Sequence, residues 1–313
     1  MSSRGSEREW LLWAALGTVY VVWGSTYLAI RVMVETMPPL LSAGVRFAAA
    51  GAIFYAVLRV RGGAQRVRVT RRELAGAALI GTLLCFGGNG LVTIAEQDVP
   101  SGLAALIIGS VPLWVVLLRS GHRERVPSAT LVGVAVGFAG LAVLVLPGDR
   151  PEDAPLGGVL LIVVAAASWA AGSFYSKRTP LPDDGLTSTA WQMMLGGGLM
   201  ALAGLVAGEA GEVQVSEFSL ESLAAFAYLL TAGSLLAFTA YVWLLKNAPI
   251  SAVATYAYVN PVIALLLGWA ILSEEITLIM VVGAAAIVMS VATVVRREAP
   301  TPAPEPAAAA GRR

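Results

Sequence analysis

Ten stretches of about twenty mostly apolar residues follow one another along the chain, at 10–31, 39–59, 73–95, 99–119, 127–147, 156–177, 186–208, 221–245, 249–272 and 276–295. A helix rises 1.5 Å per residue, so each stretch is long enough to cross a hydrocarbon core of roughly 30 Å. Backbone groups in lipid must find partners within their own segment, which predicts helices and not strands. The polar residues collect in short connections that leave no room for a soluble domain. Composition fits this picture. The chain is 57% hydrophobic and 13% charged with a mean hydropathy of +0.76, too apolar for a soluble domain of 313 residues.

The second half of the pattern repeats the first at a nearly fixed offset. Trp23 and Arg31 map onto Trp169 and Lys177, Arg46 onto Gln192 and Gly51 onto Gly197, all 146 positions later. Pro100 and Pro112 map onto Pro249 and Pro261 at 149, and Glu124 and Gly133 onto Glu274 and Gly283 at 150. So small a drift describes a duplicated unit with small loop insertions. The division that follows is a short N-terminus (1–9), a first five-helix unit (10–147), a second (156–295) and a tail (296–313).

Lys and Arg then set the orientation. With the N-terminus in the cytoplasm, eighteen of the 21 fall on the cytoplasmic side, Arg31 and Arg150 fall outside, and Arg46 lies within the second helix. That asymmetry predicts both termini in the cytoplasm. The first helix then starts inside and the sixth starts outside, so the two five-helix units are inverted. The expected fold is an all-α membrane protein of ten transmembrane helices in two inverted repeats. Because the near-neutral net charge of +1 hides a sided distribution, it carries no case for nucleic acid. Residues 1–9 precede a first membrane helix and not a removable signal peptide. The Pro/Ala-rich tail reads as disordered. A single cysteine, Cys85, excludes an internal disulfide and a cysteine metal cluster.

The segments YVVWGSTYLAIR (20–31), AGVRFAAAG (43–51), GNGLVTIAEQDVPSGLAAL (88–106) and APISAVATYAYVNPVIALLLGWAILSEE (248–275) resemble the EamA family of the drug/metabolite transporter superfamily, in its branch of inner-membrane drug or metabolite exporters. The resemblance spans all ten helices and both repeats. It implies a bacterial plasma (inner) membrane protein with a small-molecule substrate path between the inverted repeats. It does not distinguish among amino acids, other metabolites and drugs. Small multidrug members of the superfamily couple to protons through a glutamate in their first helix. Here no acidic residue occurs between Trp10 and Ile30, so that mechanism does not carry over.

Inverted-repeat transporters bind substrate near the midplane, where helices are broken. Pro112 and Pro261 each fall about 18 Å into their helices at 1.5 Å per residue. Each frees a carbonyl one turn earlier, as a packing kink or as a shared hinge. Asn260 and Asn89 are amides that need partners in this environment, whether a neighbouring helix or a substrate. Tyr256 and Tyr258, two residues apart, point to different faces of a helix and do not line one cavity together. Arg46 is the one charge well inside a helix and marks a gate or a structural tie, with Gln192 as its repeat partner. Trp23, Ser25, Thr26 and Tyr27, with Trp169, Ser173 and Tyr175, supply flat walls and hydroxyls suited to amphipathic organic substrates. Glu96 is either a titrating group or a solvated interfacial carboxylate. Glu124 and Glu274 read as helix caps in equivalent loops.

These residues point to a secondary transporter exporting small amphipathic metabolites by alternating access. No catalytic residue, cofactor or metal is called for. The sole histidine, His122, lies in a basic loop, and no intramembrane carboxylate pair supports a membrane enzyme. No continuous polar lining supports a channel, and no P-loop supports a nucleotide-driven pump. The expected partners are lipid and a small molecule; oligomeric state has no signature here.

Overall fold

The computed structural model describes residues 3–145 and 154–298. Arg150 and the Pro/Ala-rich tail beyond residue 298 lie outside the described residues. Among the described residues the elements are all helical: α1 (Ser3–Met33), α2 (Pro39–Arg66), α3 (Arg71–Ala95), α4 (Ser101–Gly121), α5 (Ser128–Val145), α6 (Leu156–Ser176), α7 (Gly185–Ala207), α8 (Leu220–Asn247), α9 (Tyr256–Leu272) and α10 (Leu278–Glu298). A helical turn, Ile250–Val253, precedes α9. Seven of the described helices, α1 to α4 and α6 to α8, are long and apolar enough to cross a membrane, and shorter apolar stretches lie in α5, α9 and α10. Large apolar side chains such as Trp13, Leu202, Val206 and Ile271 stand exposed on the outside of the bundle, as they do on helices that meet lipid.

The repeat visible in the sequence recurs in the packing. α2 lies along α7, its own repeat equivalent, and α5 along α10. Glycines set the approach. A Cβ on Gly51 would stand 2.6 Å from the Ala190 carbonyl, and one on Gly197 would stand 2.8 Å from the Gly44 carbonyl. The offset of 146 turns the first contact into the second, so the interface is self-complementary about a pseudo-two-fold axis. The α5–α10 pair behaves alike. Gly140 faces the Gly283 carbonyl, and its image at offset 150 is the hydrogen bond from Ser290 Oγ to the Gly133 carbonyl.

α3 and α8 each widen into a π-helical stretch at equivalent positions, Thr82–Gly90 and Leu229–Leu236. Widened turns free carbonyls for side chains, and Ser168, Asn89 and Trp23 are among those that use them. Ser168 of α6 donates to the Leu83 carbonyl at 2.9 Å, Asn89 donates to the Leu84 carbonyl at 3.2 Å, and Trp23 of α1 donates to the Gly233 carbonyl at 3.3 Å. The leading helix of each repeat thus serves the π-stretch of the other.

Polar contacts gather at two ends. At one, α2 and α4 begin after Pro38 and Pro100, which offer no side-chain oxygen to cap a helix. Glutamates from the second repeat cap them instead. Glu209 accepts from Leu40 N at 3.0 Å and Leu41 N at 2.7 Å, and Glu274 accepts from Ser101 N at 2.7 Å and Gly102 N at 2.9 Å. Each glutamate follows a left-handed residue, Gly208 (φ 93°) or Ser273 (φ 56°), which turns the chain back toward the partner helix. Glu274 is therefore a cap, but of a helix in the other repeat. At the opposite end Glu124 is not a cap. It bridges Arg119 at 2.7 Å and Arg178. The hydrogen bond from Arg119, helped by Arg178, holds its carboxyl below the usual range. Asp184 bridges Arg66 at 3.1 Å at this same end.

Two stability changes are expected in thermal unfolding of the detergent-solubilised protein. Gly197→Ala drives a Cβ to 2.5 Å from the Ala48 nitrogen and should cost about 1–3 kcal/mol by overpacking. Gly198→Ala meets nothing within 4 Å and should be neutral or stabilising by up to ~1 kcal/mol. Equal effects would remove the close-approach account of α2 and α7. Glu209→Ala leaves two helix-start N–H groups without their acceptor, that of Leu40 buried and that of Leu41 half-buried, and should cost about 1–3 kcal/mol, whereas an unchanged midpoint would deny the cap.

Candidate functional site

A cavity of about 120 Å³ lies between the repeats, lined by α1, α2, α3, α4, α6, α8 and α9. Its walls follow the repeat: Trp23 and Trp169, Gly88 and Ser234, Ile108 and Ala257, Val111 and Asn260, and Pro112 and Pro261 are equivalent pairs that all line it. The space therefore sits on the pseudo-two-fold axis. The departures from symmetry are chemical. α2 contributes Arg46 and Phe47 while α7 contributes nothing, and the polar Asn260 is matched by the apolar Val111.

Nine of the thirteen residues nominated from the sequence line this space: Trp23, Tyr27, Arg46, Asn89, Pro112, Trp169, Tyr256, Asn260 and Pro261. Four do not. Ser25 turns its hydroxyl to Tyr228 Oη of α8 at 2.6 Å and to α1 carbonyls. Ser173 lies one turn past Trp169 along α6, beyond the lining residues. Tyr258 packs into the apolar cluster around Met33 and Leu103, on a different face of α9 from Tyr256, as helical geometry requires. Gln192 donates to Ser188 Oγ at 2.8 Å, and its carbonyl faces Gly81 of α3.

The backbone is interrupted beside the cavity. α4 breaks at Gly109–Ser110, where Ser110 Oγ donates to the Ile107 carbonyl at 2.6 Å. Pro112 therefore sits in the first turn of a new helical segment and not at a mid-helix kink, a position that needs no N–H from it. Pro261 remains inside α9, and the interruption in that arm comes earlier, at Ala254–Thr255. The α4 break packs against the body of α9: a Cβ on Gly109 would stand 3.0 Å from the Pro261 ring.

Six aromatic side chains stand in the walls: Trp23, Tyr27, Phe47, Trp169, Phe238 and Tyr256. Trp23 stands with its ring centroid 5.1 Å from Phe238, 5.0 Å from Tyr241 and 5.3 Å from Tyr256, close enough for each edge-on or tilted contact to contribute. Tyr20 Oη meets Thr255 Oγ1 behind this cluster. On the opposite wall Gly88 makes room for Trp169, whose ring a Cβ would meet at 2.6 Å.

Asn260, Asn89 and Arg46 bring the amides and the charge to this lining. Asn260 is 7% exposed, and with its amide nitrogen turned toward carbonyls it donates to Tyr256 O and Tyr20 O at 3.2 Å each. This ties α9 to α1. Asn89 serves the π-stretch of α3 as described. Arg46 is 3% exposed, lies 4.1 Å over the Phe47 ring, and has no partner for Nε among the described residues. A guanidinium with an unfilled donor beside aromatic walls can hold an anionic or strongly polar group of a ligand.

Sequence reasoning passed over Gly233, Ser234 and Phe238 of α8, which line the cavity. The offset of 146 from Gly87 and Gly88 points to the first two, but small residues in a membrane helix also read as packing positions.

Comparison with known proteins bears on this geometry. Residues 8–146 and 156–296 each match the EamA-like transporter family. The chain is 39% identical over 284 residues to the uncharacterized inner membrane transporter YedA of Escherichia coli (strain K12), covering 90% of each chain. It is 26% identical to a "Probable amino-acid metabolite efflux pump" of Salmonella typhimurium, covering 85% of this chain and 88% of that one. A crystal structure of a protein 22% identical shares the fold with a TM-score of 0.61, over 93% of this chain and 99% of that chain. Both repeats carry the match, and the cavity lies between them. The chain belongs to the EamA-like transporter family.

Proposed function

We propose that this transporter is a secondary exporter of small amphipathic metabolites, amino acids or related compounds, in the bacterial inner membrane. Its working units are the five-helix segments 10–147 and 156–295, inverted with respect to each other. Ten crossings put both termini in the cytoplasm, in keeping with the Lys/Arg asymmetry. The observation that carries this reading is the cavity whose walls are repeat-equivalent residues from both units.

Inverted repeats give a site two nearly equivalent ways to open. The interruptions at Gly109–Ser110 in α4 and at Ala254–Thr255 before α9 are where the arms can pivot. α2–α7 and α5–α10 contribute little to the lining and act as the scaffold on either side. At about 120 Å³ the cavity is smaller than the roughly 300–1,000 Å³ of ordinary ligand sites, so loading a metabolite requires those arms to part. The ring faces of Trp23, Trp169 and Tyr256 take the apolar body of the substrate; Arg46 and Asn260 take its polar end. The name of the Salmonella typhimurium relative supports amino-acid-like compounds over inorganic ions.

The direct test is flux. Protein reconstituted in liposomes and offered a panel of radiolabelled amino acids and related metabolites should move at least one of them saturably. Folded protein that moves none would sink the proposal. Trp23→Ala and Asn260→Ala should each lower that flux about tenfold, the equivalent of ~1.4 kcal/mol, while membrane insertion stays at the wild-type level. Unchanged flux in both variants would place the path elsewhere in the bundle.

A further inference from the structure

Glu96 is the first residue after α3, past the apolar span that ends at Ala95. It is fully buried, and neither carboxylate oxygen has a hydrogen-bond partner among the described residues. An ionised carboxylate in that position lacks the donors that normally make its burial tolerable.

The donors near it are committed elsewhere. Arg31 of α1 gives its guanidinium to the main-chain carbonyls of Glu96 and Gln97. The free N–H groups at the start of α4 go to Glu274. Tyr27 and Arg31 of α1, Arg46 of α2 and Glu274 of the α9–α10 turn are the charged or titratable groups that act on Glu96. α6, packed on the last turn of α3, has no titratable residue between Leu156 and Ser168, and Asp98 on Glu96's own segment is exposed. Glu274 repels a second negative charge, while Arg31 and Arg46 attract one. Burial first, and Glu274 second, hold the Glu96 carboxyl well above the usual carboxylate range against both arginines.

Position links this acid to the cavity. Asn89, Val92 and Glu96 follow at helical spacings of three and four and share one face of α3; the first two line the cavity. Arg46, with its unfilled Nε, reaches the same region from α2.

We propose that Glu96 is the proton-binding group of this transporter: it carries a proton in the conformation described here, and on giving it up to water it becomes a carboxylate that pairs with Arg46. The O–H bond breaks, the proton leaves with a water molecule, and no other reactant is needed. Loss of the proton draws α3 toward α2 beside the cavity and occupies the guanidinium that a substrate would otherwise meet. The coupling ion is then a proton. That consequence rests on the cavity being the transport path; the protonation of Glu96 does not.

Infrared spectroscopy of the protein in phosphatidylcholine vesicles tests the proton directly, without a substrate. At pH 7 the wild type should show the carbonyl stretch of a buried, protonated carboxylic acid. Glu96→Gln, nearly isosteric with the protonated acid, should lose that band while keeping its circular dichroism. No such band in the folded wild type, or a band that persists in Glu96→Gln, overturns the proposal even if flux is found. A second measurement uses stability. An acid whose folded value is raised contributes stability that is complete below its unfolded value, about 4.3, and is lost as pH rises toward the folded one. The wild-type unfolding midpoint should fall between pH 5 and pH 8 more steeply than that of Glu96→Gln; parallel curves would again overturn the assignment.

Discussion

Everything in this bundle answers to one constraint: a main-chain N–H or C=O facing hydrocarbon must find its partner inside the protein. Regular helices meet it by themselves. The informative places are those where the helix is interrupted, because there the partner must come from elsewhere. Widened turns in α3 and α8 are served by Ser168, Asn89 and Trp23. Helix starts behind Pro38 and Pro100 are served by Glu209 and Glu274. Ser168, Trp23 and both glutamates reach across from one repeat to the other. Backbone satisfaction is thus what laces the two repeats together, and the glycines of α2, α7, α5 and α10 bring them close enough for it to work.

The same interruptions shape the cavity. A straight, fully paired helix presents only side chains, whereas a break exposes backbone dipoles and gives the arm a place to bend. Gly109–Ser110 in α4 and Ala254–Thr255 before α9 lie beside the space lined by Trp23, Trp169, Arg46 and Asn260. Symmetry fixes where the cavity is, and departures from symmetry fix what it prefers. Arg46, whose repeat equivalent Gln192 stays off the lining, and Asn260 opposite Val111 give an otherwise even-handed chamber a polar side.

How far the sequence could be read follows from the range of the interactions. Trp23, Trp169, Pro112 and Pro261 stood out because duplicated spacing reports on geometry directly. Tyr256 and Tyr258 separated as expected because a two-residue step on a helix turns the side chain by more than a right angle. Ser25 and Gln192 were nominated by type, but a hydroxyl or amide takes whichever acceptor its rotamer reaches, and here those are Tyr228 and Ser188. The π-stretches leave no mark that ordinary helix propensity would reveal. Glu274 was legible as a cap but not as a cap for α4, because its target lies more than 170 residues away in sequence, and only the left-handed turn at Ser273 aims it there.

Those two caps have a consequence for how the protein comes into being. α2 and α4 are synthesised long before Glu209 and Glu274 leave the ribosome, so the first repeat enters the membrane with its helix starts unfinished. Until the second repeat arrives, Leu40, Leu41, Ser101 and Gly102 must keep their N–H groups at the wet lipid surface or against the translocation machinery. The half that is made first is completed by the half that is made last, which makes this chain a single cooperative unit in time as well as in space.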